Sequence, residues 1–279
     1  MKEKNLSYLC QINENDKREI ISDGLNKIIE NVFILLKSLE RLSDESTVRG
    51  YRILENIIEE ECSKYLILID YLRIINNDEN YRSKLIKYFY NHFTRLLYAE
   101  YCSIRPATYR EVKEYIEKRR DSLYTDGYFG VEYIFRNDLL QKREQQMYVD
   151  LVEIEGENKW IGPDFYDQTS SYDYMISSSI IKLVLCMNEC YFSDKNSLDI
   201  INNTWKKYEI KEDTHWKEIE YKNKETIDSI KENFEIEKEN CCSYIKKNWL
   251  FPLYQLDLSM KKINRKDLVE RRENYNPDI

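Results

Sequence analysis

Two stretches of the chain place residues that could carry acid–base chemistry at helical spacing. The first, EEECSK, has three consecutive glutamates followed by Lys64 inside an otherwise apolar run. The second, YNHFTR, places His92 three residues before Arg95. On a helix, residues three or four apart share a face, so His92 and Arg95 are expected to point the same way. A carboxylate, an imidazole, an ammonium and a guanidinium together would suit proton transfer or the binding of a phosphate.

The three glutamates point in different directions if this stretch is helical. The apolar stripe that runs through Ile57 also contains position 61, so we expect Glu61 to face the core. Glu60 lies one turn before Lys64, and Glu59 is expected to be solvated. A buried carboxylate without a partner is destabilising or takes a proton, so Glu61 needs a partner. Two interpretations stay open: an intrahelical pair with Lys64, or a polar site in a groove between helices.

The composition favours long helices as the elements that hold these residues. Among 279 residues there are only 6 glycines and 4 prolines, while 34% are charged. A chain so poor in turn-forming residues is typical of a helical protein rather than of a β-sandwich or a parallel sheet. Apolar residues recur at helical spacing over three segments, and short connections make consecutive helices antiparallel neighbours. These segments cover residues 20–42, about 47–76 and about 81–103.

Antiparallel packing of the second and third helices would bring His92 and Arg95 close to Glu61 and Lys64. Tyr88 lies four residues before His92 and is expected on the same face. A single histidine beside an apolar face is more often a hydrogen-bonded core residue than a catalyst. The residues alone therefore leave open whether this cluster catalyses, binds, or only fixes the packing of two helices.

Later segments add a small extended element and a charged C-terminal region. Helices are expected over about 108–123, 131–146 and 170–192. Between the last two, the alternating and β-branched run MYVDLVEIEGENKWIGP predicts a small hairpin. Beyond them the chain becomes more polar, with charged helices and one further apolar stretch. We therefore divide the chain into a helical domain of residues 1–195 and a helical C-terminal extension of residues 196–279.

Charge and cysteine content limit the function classes. The net charge of −8 gives the whole chain no general attraction to nucleic acid, although a local basic cleft is compatible with it. Basic runs such as EKRRD and KRE could touch RNA but are usually solvated. The 7 cysteines form no CxxC pair, and the adjacent Cys241 and Cys242 suit neither a common disulfide nor a zinc pattern. With no signal peptide and no apolar run of membrane-spanning length, we expect a cytoplasmic protein with reduced thiols and no membrane association.

Four stretches occur in an order that is more specific than any of them alone. They are Gly24 and Asn31 before LLKSLERL, Glu60, Glu61 and Lys64 in EECSK, His92 and Arg95 in FYNHFTR, and MYVD at residues 147–150 followed by Pro163. Over about residues 20–192 this arrangement resembles the AbiV family of bacterial abortive-infection proteins, part of the all-helical HEPN superfamily. The resemblance implies an all-α, HEPN-like antiparallel helical bundle, here with a small hairpin insertion and a helical C-terminal extension.

The resemblance also implies an anti-phage protein that acts by growth arrest or by shutting down translation. A HEPN ribonuclease needs no metal or other cofactor and typically builds its site across a homodimer. We therefore expect a homodimer, RNA or a translation component as target, and a phage protein as activator. In this interpretation His92 exchanges a proton with RNA, while Arg95 and Lys64 stabilise the phosphorane charge. Glu61 would orient His92 or Lys64. The candidate binding residues are Glu60, Asn31, Lys87 and Tyr88, with Asn31 hydrogen-bonded to Glu61.

The chain departs from the common HEPN ribonuclease pattern, in which an arginine shortly precedes the histidine. Before His92 the only cation in that window is Lys87, which cannot form the bidentate fork of an arginine on phosphate. An endoribonuclease and a non-enzymatic binding module that senses or sequesters a phage or host protein or a nucleotide both stay open. A metal site built from Glu60, Glu61 and His92 is disfavoured because the Glu-x-x-His spacing of di-iron bundles is absent.

Overall fold

Helices dominate the part of the chain that the structure describes. The computed structural model describes residues 5–42, 47–121, 124–126, 132–134, 137–154, 157–162, 178–261, 266–267 and 270. The helices are α1 (Glu14–Leu39), α2 (Val48–Leu72), α3 (Glu79–Phe89), α4 (His92–Tyr101), α5 (Tyr109–Arg119), α6 (Asp138–Met147), α7 (Ser179–Glu189), α8 (Lys195–Trp205), α9 (Trp216–Lys231) and α10 (Glu239–Asn248). Short 3-10 helices cover Leu6–Cys10, Glu40–Leu42 and Ile75–Asn77. The predicted all-α class is confirmed; the HEPN-like arrangement stays a prediction.

Helix α2 lies at the centre of the fold. It contacts α1, α3, α4, α6, α7 and α8. Its buried residues therefore do not form one stripe: from residue 65 to residue 72 every side chain is buried. The apolar stripe predicted on α1 is confirmed, and its buried members are Ile21, Leu25, Ile28, Ile29, Val32 and Leu39. A helix surrounded by neighbours can bury charged residues on any face, provided that each has a partner.

Two helices end earlier than the sequence predicted. Helix α2 stops at Leu72, because the backbone is already extended at Ile74, with ψ of 126°, and Asn76 and Asn77 then adopt the left-handed conformation, with φ of 50° and 55°. The single helix predicted over residues 81–103 is wrong. It consists of α3 and α4, separated by Tyr90 and Asn91.

Two antiparallel hairpins flank α6. Strand β1 (Tyr124–Asp126) pairs with β2 (Glu132–Ile134), and β3 (Asp150–Ile154) pairs with β4 (Glu157–Ile161). The second hairpin confirms the predicted extended element. The helix predicted from residue 131 is wrong over residues 132–134, which form β2; α6 begins only at Asp138. The predicted helix segment 170–177 and Pro163 lie outside the described residues.

The C-terminal region packs into the same core as the N-terminal helices. Helix α8 contacts both α1 and α2. After α10, residues 249–261 form no helix, and this segment buries Trp249, Phe251, Leu253 and Leu258. The division of the chain after residue 195 stays a prediction, and the described core runs across it. None of the described helices is both long and apolar enough to span a bilayer.

Candidate functional site

A break between two helices positions His92. Helix α3 ends at Phe89, and Asn91 caps α4 by accepting a hydrogen bond from the backbone N–H of Thr94 at 3.1 Å. The short asparagine side chain competes with helix continuation because it bonds the local backbone. His92 is therefore the first residue of α4, and its side chain is 56% exposed.

A buried carboxylate joins His92 to two arginines. Glu60 is only 5% exposed. Its Oε2 lies 2.8 Å from His92 Nδ1 and 3.0 Å from Arg95 Nη2. Its Oε1 accepts a hydrogen bond from Arg143 Nε at 2.9 Å. These four residues, here called the Glu60 cluster, connect α2, α4 and α6 through one side chain.

The contacts of the Glu60 cluster favour one tautomer of His92. Its Nδ1 lies 2.8 Å from both Glu60 Oε2 and Arg95 Nη2. A guanidinium only donates, and Arg95 Nη2 also reaches Glu60 Oε2, so the carboxylate can satisfy both donors when Nδ1 carries the proton. Nε2, the ring nitrogen outside these contacts, then holds the lone pair that can accept a proton.

Close packing of α2 on α4 holds the cluster together. Ser63 is fully buried, and its hydroxyl lies 2.6 Å from the backbone carbonyl of Arg95 and 2.9 Å from that of Glu59. A hydroxyl shared between the two helices fixes their separation at this level. The distance between Glu60 and Arg95 therefore follows from backbone packing rather than from two flexible side chains meeting by chance.

Glu61 and Lys64 pair with each other at the edge of the site. Their charged atoms are in contact, and their side chains are 17% and 20% exposed. The intrahelical interpretation of this pair is confirmed. The prediction that Glu61 is the inward carboxylate is wrong, because α4 and α6 cover α2 on the side where Glu60 lies. Lys64 Nζ also lies 5.9 Å from the ring centre of Phe89.

A second group of carboxylates lies beside the cluster on α2. Glu59 is not solvated as predicted: it accepts a hydrogen bond from the hydroxyl of Ser178 at 2.6 Å, and burial raises its pKa. One turn earlier, burial and the neighbouring Glu59 raise the pKa of Glu55 to about 7, although Arg52 opposes the shift. This patch therefore carries less negative charge near neutral pH than its residue types imply.

The remaining predicted binding residues make no described contact with the cluster. Asn31 is exposed on α1, and no described hydrogen bond joins it to Glu61. Lys87 is exposed on α3. Tyr88 is buried, and its hydroxyl donates to Asp257 at 3.2 Å and accepts from the backbone N–H of Leu258 at 2.9 Å. Because α3 ends before His92, Tyr88 does not share a face with it, and its contacts are those of a residue that fixes the C-terminal segment.

Arg143 is the member of the cluster that the sequence did not single out. It belongs to the run KRE, which we interpreted only as a basic run that could touch RNA. Its contact with Glu60 spans 83 positions of the chain and depends on how α6 crosses α2 and α4. The helical period of α6 shows which residues share a face with Arg143. It does not show which carboxylate of another helix Arg143 contacts.

The Glu60 cluster combines an exposed base with an excess of positive charge. With a neutral imidazole it holds two arginines against one carboxylate, a balance that favours an anionic ligand. The described bond of Arg143 to Glu60 uses only Nε. Among the residues that the structure describes, no group of three or more His, Cys, Asp or Glu side chains is arranged to hold a metal ion.

Comparison with known proteins adds no relative to this picture. No family model, no curated protein and no solved structure matches this chain.

Proposed function

We propose that the protein is a bacterial anti-phage abortive-infection protein and that the Glu60 cluster is the active site of a metal-independent endoribonuclease. The observation that carries this proposal is the exposed imidazole of His92, held on a buried carboxylate between two arginines. The resemblance of the sequence to the AbiV family supports the biological role, in which RNA cleavage arrests growth or translation. A homodimer and activation by a phage protein belong to the same proposal.

In the proposed reaction His92 acts as general base. Its Nε2 takes the proton of a ribose 2′-hydroxyl, and the oxygen attacks the adjacent phosphorus. The bond to the 5′-oxygen breaks, and that oxygen receives a proton from water or from a second imidazole in a homodimer. Arg143 contributes positive charge to the phosphorane, while Glu60 keeps the imidazole in the tautomer with a proton on Nδ1. Arg95 is buried and positions Glu60 rather than contacting RNA.

The same contacts also support a second function from another class. If Glu60 served only to link α2, α4 and α6, it would also need all three of its partners, because a buried charge is tolerated only when it is paired. In that case the protein would sense or sequester a phage or host protein or a nucleotide, and His92 would only fix helix packing.

A matched pair of histidine substitutions separates the two functions. His92→Asn removes the imidazole from the cluster. His215→Asn removes the other imidazole, whose Nδ1 caps α9 by accepting from the N–H of Lys217, and asparagine preserves such a cap. If the site is catalytic, His92→Asn abolishes protection in a phage-plating assay and lowers RNA cleavage by roughly 10²- to 10⁴-fold. His215→Asn leaves both unchanged.

Two results would argue against catalysis. The first is full phage protection by cells that express soluble His92→Asn protein. The second is purified wild-type protein that degrades no RNA, alone or with an infected-cell extract, while His92→Asn lowers the melting temperature. That second pattern would assign the Glu60 cluster to packing and favour the binding module.

A further inference from the structure

Four of the seven cysteines meet where α7 packs against α10. Cys186 lies in the last turn of α7, Cys190 follows four residues later at the C-cap of that helix, and Cys241 and Cys242 are consecutive in the first turn of α10. Cys190 Sγ lies 3.6 Å from Cys242 Sγ, and the thiol of Cys186 lies beside that of Cys241. The adjacent pair that looked unpromising in the sequence therefore faces two further cysteines from another helix. All seven cysteines of the chain are in the thiol form.

The two sulfur contacts differ in their access to solvent. Cys190 and Cys242 are buried, whereas Cys241 is partly exposed. Burial and the Cys242 thiol raise the pKa of Cys190 well above that of an ordinary thiol. Burial, together with the Cys241 thiol, raises the pKa of Cys186 to about 12. The partly exposed Cys241 is therefore the member that a dissolved oxidant reaches first.

The first turn of α10 has no side-chain cap. Lys238 stands at its N-cap and provides no side-chain hydrogen bond to the free N–H groups of the first turn. A first turn without a cap opens more readily than the interior of the helix. Opening of this turn would expose Cys242 without separating the body of α10 from α7.

We propose that α7 and α10 are joined by two reversible disulfides, Cys186–Cys241 and Cys190–Cys242, formed with low-molecular-weight disulfides as oxidant. In each case the α10 thiolate attacks one sulfur of the oxidant, whose S–S bond breaks and releases one small thiol. The facing α7 thiolate then attacks the α10 sulfur in this mixed disulfide, closes the protein disulfide and releases the second small thiol. Each protein disulfide therefore reduces one small disulfide to two thiols.

Tryptic mapping of the purified protein after incubation with oxidised glutathione tests this pairing. Cleavage at lysines places Cys186 and Cys190 in the peptide 183–195, and Cys241 and Cys242 in the peptide 239–246. The two proposed disulfides link these two peptides to each other and lower the count of free thiols from seven to three. Disulfides within either peptide, or glutathione adducts without a link between the peptides, would overturn the proposal.

Double substitutions identify the pairs. Cys190→Ser with Cys242→Ser leaves the pair Cys186–Cys241, and Cys186→Ser with Cys241→Ser leaves the pair Cys190–Cys242, so both variants keep one link. Cys186→Ser with Cys242→Ser leaves, of these four cysteines, only Cys190 and Cys241, which belong to different proposed pairs, and is expected to lose the link. An equal link in all three variants would contradict the assigned pairs.

A cysteine outside this contact provides the control. Cys10 is partly exposed like Cys241, but its described sulfur contact is with the hydroxyl of Ser83, at 3.8 Å. Cys10→Ser is expected to leave the link between the two peptides intact. The oxidised wild-type protein is expected to melt roughly 5–10 °C higher than the reduced form, and a reductant should reverse the shift. Purified protein whose four thiols are instead blocked by a stoichiometric bound zinc ion would overturn the proposal.

Discussion

At the scale of single residues, the candidate site depends on Glu60 more than on any other side chain. Its two oxygens face one imidazole and two guanidinium groups, and it is almost fully buried. A buried charge in this position is tolerated only because its partners are fixed around it. The sequence named Glu60, His92 and Arg95 as candidates, but it assigned the inward position to Glu61.

The first prediction concerns the charge of this carboxyl group. Glu60→Gln keeps the shape of the side chain but removes the charge that pairs with Arg95 and Arg143. Both arginines are then left partly buried without a counter-charge, so we expect the free energy of unfolding to fall by ~3–5 kcal/mol. Urea denaturation followed by circular dichroism measures this change. Glu61→Gln is the matched control, since its intrahelical pair with Lys64 is worth only ~0.2–0.5 kcal/mol. Equal losses in the two variants would show that Glu60 is not the residue that connects the helices.

The exchange of roles between Glu60 and Glu61 has a simple physical cause. Helical spacing shows which residues share a face, but only the neighbours decide which faces are buried. For a central helix such as α2 they cover several faces, and Ile57, placed on the apolar stripe, is in fact exposed. Arg143 was missed for the same reason, because its contact is set by tertiary packing across the chain.

At the scale of elements, the junction between α3 and α4 determines where His92 points. The apolar period continues through Leu85, Phe89 and Leu96, so the sequence predicts one helix. The local preference of Asn91 for a capping position overrides that period and starts a new helix at His92. Helices α1, α2 and α5 were predictable from their apolar spacing, because no such signal interrupts their apolar runs.

The second prediction tests this cap. Asn91→Ala removes the acceptor of the Thr94 N–H, so we expect stability to fall by ~0.5–2 kcal/mol and His92 to lose its fixed position. Asn91→Ser preserves a capping oxygen and should remain close to wild type. Thermal unfolding of both variants, with RNA cleavage measured alongside, checks the two effects. An alanine variant as stable and as active as the serine variant would show that the cap does not set this geometry.

At the scale of the whole molecule, Arg73 joins the central helix to the C-terminal region. Its guanidinium carbon lies 3.8 Å from the ring centre of Trp205 and 4.3 Å from that of Trp249. It also donates to Asp70 at 3.1 Å and to the carbonyl of Leu250 at 3.0 Å. A sequence-based division into domains does not detect such a link. The arginine and its aromatic partners lie far apart in the chain, and neither segment by itself indicates that they are in contact.

The third prediction measures this link. Arg73→Leu leaves Asp70 buried without its counter-charge, so we expect a loss of ~3–5 kcal/mol in the free energy of unfolding. The same substitution at Arg110, whose pair with Glu212 is exposed on both sides, should change stability by ~0–1 kcal/mol. Urea unfolding of both variants gives the comparison. A loss at residue 73 no larger than at residue 110 would mean that the buried pair does not hold the C-terminal region.

The position of Asp70 and Arg73 also has a consequence for the order of events during synthesis. Asp70 accepts a hydrogen bond from the backbone N–H of Leu253, which lies 183 residues later in the chain. Until that residue has left the ribosome, Asp70 at the end of α2 and Arg73 just after it lack the partners that residues 250 and 253 provide. Folding from the N-terminus, as many domains fold while they are being made, cannot complete this core. The native packing of α2 must therefore wait for the last part of the chain, and for that interval its apolar surface is available to chaperones.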